Sequence, residues 1–138
     1  MIAIAAVDHI GIRVADEARA VAFYRLFGFE VTMRATNGDP VVILRNATDV
    51  EINLIVNAVP SAEPSNILMD APEKYAGYTH VALRVGSLEA TQGALATAGI
   101  PLSGKPVRLG NGVSLFIRDP DRNVVELREK DSGSAHGK

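Results

Sequence analysis

Residues 8–14, "DHIGIRV", alternate strictly: His9, Gly11 and Arg13 fall on one face, and Ile10, Ile12 and Val14 on the other. That is the period of a half-buried strand. Seventy-one residues later "THVALRV" repeats the design, with His80, Ala82 and Arg84 opposed to Val81, Leu83 and Val85. Helical patterns follow both runs: "ADEARAVAFYRLFGFEV" after the first and "GSLEATQGALATAGIPL" after the second. Each predicts a helix of about three turns. Asp16 and Ser87 are the expected N-caps, and Gly28 and Gly99 the left-handed residues that end the helices.

After a two-residue slip the halves realign. "LRNATDVEINL" (44–54) lies against "IRDPDRNVVEL" (117–127), so that Asn53 falls on Glu126. Each contains a polar turn followed by an alternating strand. The chain is therefore expected to be α+β: two βαβββ modules forming a cupped, partly open mixed β-sheet barrel with the helices outside. The expected boundaries are 1–57 for the first module, 58–77 for a proline-containing connector and 78–130 for the second module. Residues 131–138 are expected as a disordered tail. Within the connector, "NILM" is expected as a short helix or as a segment packed over the site. One structural domain results, since 138 residues suffice for a core.

Composition narrows the function. The net charge of -2 and pI near 5.9 offer no basic field for nucleic acid or an anionic membrane. No apolar run approaches the roughly 20 residues that span a bilayer. The apolar N-terminus lacks a charged leader region and runs straight into the first strand, so it reads as mature protein. A soluble cytoplasmic protein, associating as a homodimer and acting on a small molecule, is the expectation. There are no cysteines, so any metal must be held by nitrogen and oxygen.

Two of the three histidines occupy matched strand positions. Packing inherited from duplication would account for the repeat but leaves the histidine pair unexplained. "NVVELRE" adds Glu126, which shares a strand face with Val124 and Arg128. That glutamate either lies in water at a sheet edge or joins His9 and His80 around a metal, and two imidazoles with one carboxylate suit Fe, Mn, Ni, Co or Zn. Glu51 shares the face of Asn53 and is either a ligand or base, or solvated at the rim. Arg13 and Arg84 could hold a substrate anion or pair with acids, and Tyr78, also on the histidine face, could line the pocket. Phe23, Tyr24 and Phe27 read as core or dimer packing. "GNG" (110–112) reads as a turn, without the pattern of a phosphate loop.

"DHIGIRVAD…AFYRLFGFEV", "GYTHVALRV…ALATAGI" and "FIRDPDRNVVEL" together resemble the vicinal oxygen chelate superfamily of glyoxalases, bleomycin-resistance proteins and extradiol dioxygenases. The resemblance spans about residues 6–129. It implies paired βαβββ modules around one divalent metal, with His9, His80 and Glu126 as ligands. It also implies a glyoxalase I-like lyase or isomerase on a small oxygenated substrate, with Glu126 and Glu51 catalytic and Asn53, Arg13, Arg84 and Tyr78 binding substrate. The departure from the pattern is Asn53, where glyoxalase I carries a second glutamate. The alternatives are a ring-cleaving dioxygenase, whose usual tyrosine is here Phe116, and a metal-free ligand-binding protein. Fosfomycin-type thiol transferases share the metal triad but also carry that tyrosine, although Lys105 lies near their expected lysine.

Overall fold

A computed structural model describes residues 1–132. It resolves into two compact units, Met1–Ser65 and the chain from Asn66 on. The first unit runs β1 (Ile10–Arg13), α1 (Glu17–Arg25), β2 (Glu30–Ala35), β3 (Val41–Arg45) and β4 (Glu51–Ile55). Its four strands lie in the order β1-β4-β3-β2, with β1 parallel to β4 and the other pairs antiparallel. The second unit repeats this as β5 (His80–Arg84), α2 (Leu88–Ala98), β6 (Val107–Leu109), β7 (Gly112–Arg118) and β8 (Val124–Lys130). The strand order is β5-β8-β7-β6, again with one parallel pair, β5 beside β8. The βαβββ repeat is thus present twice, as two open four-stranded mixed sheets, neither closed into a barrel.

Local chemistry sets the element boundaries in the same way in both units. Asp16 Oδ1 accepts the Arg19 amide and Ser87 Oγ the Ala90 amide, each meeting one of the unpaired donors of a first helical turn. At the far end Gly28 (φ +87°) and Gly99 (φ +75°) turn left-handed. This lets Phe29 N–H reach back to Tyr24 C=O and Ile100 N–H to Leu95 C=O. The polar turns also match. Asn46 Oδ1 accepts the amides of Thr48 and Val50, and Asp119 Oδ1 those of Asp121 and Asn123. Asp49 and Arg122, the two non-glycine residues with positive φ among those described, share one value of 69° at equivalent places.

The apolar strand faces form the cores. In the first unit Val42, Leu44, Ile52 and Leu54 are buried, with Tyr24 edge-on to both Phe23 and Phe29. In the second, Leu115, Ile117, Val125 and Leu127 are buried, as are Leu88 and Leu95 of α2. Phe23 and Tyr24 are therefore core residues, as their helical spacing predicts.

The segment between β4 and β5 holds no helix. "NILM" is a turn nucleated by Asn66, whose Oδ1 accepts the Leu68 and Met69 amides. It is tied down by Asp70, which pairs with Arg118 (2.9 Å) and Arg122 (3.2 Å) and accepts the Asn66 amide (2.7 Å). The Arg118 guanidinium, then that backbone amide and Arg122, hold the Asp70 carboxyl well below the usual carboxylate range. Asp131 is paired to Arg108 of β6, and the rest of the expected tail, 133–138 with His136, lies outside the described residues. No described helix is long and apolar enough to cross a membrane.

Candidate metal-ligating faces of the two sheets

Because strand residues alternate, the face turned away from the helix in each sheet collects the residues of interest. In the second sheet, register places Ala82 beside Glu126, Phe116 opposite Glu126, and Ser114 opposite Arg128. In the first, it places Gly11 beside Asn53, Ile43 opposite Asn53, and Val41 opposite Ile55. Asn53 and Glu126 therefore occupy equivalent sites, as the sequence alignment predicts. Val41, Ile43 and Ile55 likewise correspond to Ser114, Phe116 and Arg128.

The second sheet carries a connected polar group. Glu126 is only 7% exposed, and a buried carboxylate needs partners. It has two: Oε1 lies 2.9 Å from His80 Nε2, and Oε2 accepts the Ser114 hydroxyl at 2.5 Å. Ser114, fully buried, in turn accepts Arg128 Nη1 at 3.0 Å. Arg128 Nη2 is anchored on the Leu109 carbonyl and on Asn111 Oδ1. The other ring nitrogen of His80, Nδ1, is 2.7 Å from Thr79 Oγ1, and the Phe116 ring stands edge-on to the imidazole at 5.8 Å. A hydroxyl can donate or accept, so Thr79 supports His80 in either tautomer.

In the first unit His9 is held the same way: its Nδ1 is 2.7 Å from Asp8 Oδ2. Asp8 and Thr79 precede equivalent histidines, and a carboxylate that only accepts leaves the lone pair of His9 on Nε2. Asp8, His9 and Glu51 can bring one donor atom each within 4.8 Å of one another. Glu51 also pairs with Arg45 Nη2 at 2.6 Å, and Arg45 has a second partner in Asp49. Asn53 makes no such network. Its Oδ1 is buried and lacks a hydrogen-bond partner among the described residues. An orphaned acceptor of this kind is a place where a ligand group would be satisfied.

The remaining predicted residues are scattered. Arg13 donates to Asn57 Oδ1 (3.0 Å) and Asp39 Oδ2 (3.2 Å), an exposed cluster closed by an Asn57–Asp39 bond. Arg84 is exposed at the end of β5. Tyr78, expected to line a pocket, stands fully in solvent just before β5. Sequence reasoning missed Asp8, Thr79 and Ser114. The first two were visible as "DH" and "TH" in the aligned strands, whereas Ser114 matters only through its place in the sheet.

The donor chemistry fits a divalent first-row ion. Imidazole Nε2 atoms whose Nδ1 is held by a neighbouring oxygen, and a buried carboxylate whose second oxygen is occupied, are the support that ligands of such ions require. Comparison with known proteins agrees with this type of fold. The chain is 25% identical to SMU.1112c, whose crystal structure it matches with a TM-score of 0.74 over 92% of this chain and 100% of that one. A glyoxylase/bleomycin resistance protein/dioxygenase domain from Frankia sp. EAN1pec is 18% identical, with a TM-score of 0.74 over 93% of this chain and 99% of that one. TnmS3, an antibiotic binding protein from Streptomyces sp. CB03234, is 22% identical, with a TM-score of 0.68 over 95% and 100%. No curated protein matches the chain. The family model described as Glyoxalase/Bleomycin resistance protein/Dioxygenase superfamily matches residues 6–127, nearly the whole length, and the chain belongs to that superfamily.

Proposed function

We propose that the protein is a metal-dependent lyase or isomerase that binds a small oxygenated substrate at one divalent ion and moves a proton between neighbouring carbons. The observation that carries this reading is the duplicated support of the histidines. Each Nδ1 is held at 2.7 Å by the preceding residue, which aims Nε2. A histidine serving only packing or solvation has no need of that support in both halves. His80 and Glu126 are the ligands assigned in the second unit, and His9, by the repeat, is the equivalent ligand position in the first. The ion, Fe, Mn, Ni, Co or Zn, supplies Lewis acidity toward substrate oxygens when bound.

This chain's own residues account for the rest. Asn53 cannot take a proton, so the first-half carboxylate assigned as base is Glu51. Glu51 can leave Arg45 without stranding that guanidinium, because Asp49 remains bonded to it. The unpartnered Asn53 Oδ1 is available to a substrate hydroxyl or amide. Phe116 places an apolar ring beside His80. Arg84 and Tyr78, both exposed, are the second-half groups free to meet substrate, whereas Arg13 is already engaged by Asp39 and Asn57.

The test is metal analysis of untagged protein, followed by assay with hemithioacetals. About one ion per chain, with Glu51→Gln losing turnover but keeping the ion, supports the reading. Dependence on oxygen with catechol substrates would instead make it a ring-cleaving dioxygenase. No metal after reconstitution with Fe, Mn, Ni, Co and Zn would overturn it. That outcome favours a metal-free ligand-binding protein, which the neutral Asn53 would suit.

A further inference from the structure

We infer that Ser114 is a positioning residue: backed by Arg128, it clamps Oε2 of Glu126 so that the carboxylate presents Oε1 alone, beside His80. The inference rests on the metal-site reading for its functional meaning, but the clamp itself is geometric.

A serine hydroxyl has one hydrogen, and Ser114 directs it to Glu126 Oε2 at 2.5 Å. Its oxygen then accepts from Arg128 Nη1, which places a full positive charge behind the serine and polarises its hydroxyl toward the carboxylate. Arg128 cannot drift, because Nη2 is held by the Leu109 carbonyl and Asn111 Oδ1. It also packs over Gly112, where a Cβ would lie 3.1 Å from the guanidinium carbon and 2.6 Å from the Glu129 carbonyl oxygen. A side chain at 112 would collide with the neighbouring strand and crowd the Arg128 guanidinium. The carboxylate is thus fixed at both oxygens, by Ser114 on one side and His80 on the other.

The first sheet provides an internal control. It has the same strand order and register, yet the positions of Glu126, Ser114 and Arg128 hold Asn53, Val41 and Ile55. All three members are replaced together. Had Ser114 been chosen for its small size in a crowded strand, nothing would tie it to the glutamate. A clamp explains why serine and arginine stand only where the carboxylate stands. It also separates roles: a carboxylate with Oε2 taken by Ser114 is suited to ligate through Oε1, which leaves proton movement to Glu51.

The test titrates cobalt(II) into the full-length, untagged, metal-free protein and records its visible d–d absorption. Wild type is compared with Ser114→Ala, Ser114→Thr, Arg128→Lys, Glu126→Gln and the double variant Ser114→Ala/Glu126→Gln. Ser114→Ala should weaken cobalt binding roughly 10- to 100-fold and shift the d–d bands. Ser114→Thr, which keeps the hydroxyl, should restore both, and the double variant should bind no worse than Glu126→Gln alone. Unchanged affinity and spectrum in Ser114→Ala, or additive losses in the double variant, would overturn the clamp. Failure of wild type to bind cobalt would sink the metal reading, and the clamp is then decided by chemical denaturation. There, coupling between Ser114→Ala and Glu126→Gln on the order of tenfold in the unfolding constant upholds it, and additivity overturns it. If Ser114→Ala does not fold, Arg128→Lys serves in the same cycle with the same two outcomes.

Discussion

The two halves of this chain share strand order, strand register and turn chemistry, and contrast in one strip of side chains. Helix caps, left-handed glycines, the side-chain-bonded hairpin turns and even the positive φ at Asp49 and Arg122 recur. On the face away from the helix, however, the second sheet carries Ser114, Glu126 and Arg128, and the first carries Val41, Asn53 and Ile55. The backbone is held in common by many local bonds that any polar turn or cap can supply. What differs is three cross-strand neighbours, which can change without disturbing it.

The largest effect should come from deleting the strip where it exists. Glu126→Gln should lower divalent-metal affinity more than a hundredfold, since it removes a ligand charge and leaves His80 without its partner, whereas Asn53→Ala should change it less than threefold. Calorimetric titration with one metal against both variants checks the contrast, and equal losses would mean that the halves contribute alike.

Next comes rebuilding the strip where it is absent. Asn53→Glu alone should destabilise the fold by about 1–3 kcal/mol, because a partly buried carboxylate gains no donor there. Adding Val41→Ser and Ile55→Arg should recover most of that loss. Denaturant unfolding of the single and triple variants is the measurement. A triple variant no more stable than the single would show that register alone does not make a clamp.

A smaller asymmetry lies at the hairpin turns. Among the described residues, only the second is tied to the connector, through Asp70. Because its partners depress the Asp70 pKa, its stabilisation is present above the unfolded carboxylate value of about 4 and is lost only as pH falls through the lower folded value. Asp70→Asn should therefore lower Tm by roughly 2–4 °C at pH 7. The gap to wild type should persist down to about pH 4 and narrow only in stronger acid. Thermal melts across pH check this, and a gap that closed between pH 7 and 5 would assign the effect to another group.

The smallest effect should separate the two left-handed residues. Asp49→Gly removes backbone strain at the cost of a weak surface ion pair and should be within about 0.5 kcal/mol of neutral. Arg122→Gly relieves the same strain but removes one of the two arginines that hold Asp70, and should be destabilising by about 1 kcal/mol. Equal results in denaturant unfolding would remove the connector from the comparison.

Much of this arrangement was legible in the linear pattern. Period-two alternation located His80 and Glu126 on adjacent strands of one sheet, and the two-residue slip correctly set Asn53 against Glu126. Caps and terminal glycines were read from residue types whose bonding partners lie within five residues. Legibility ended where partners are distant in sequence. Nothing in "GVSLFIR" marks Ser114 as different from any strand serine until register brings it to Glu126, twelve residues on. "NILM" read as a helix or a cover and is a turn, because Asn66 and Asp70 satisfy its backbone locally and bind it to Arg118 and Arg122. Tyr78 shares the parity of His80 but lies before the strand begins, so parity did not aim it.

By itself the sequence determined a doubled βαβββ chain with histidines at matched places, because short-range hydrogen bonding and alternate burial act on neighbours along the chain. Tertiary structure decided which oxygen of Glu126 is held, by whom, and that the other half lacks the means to do the same. Those outcomes depend on side chains meeting across strands, where a shift of one residue in register would turn every one of them to the opposite face.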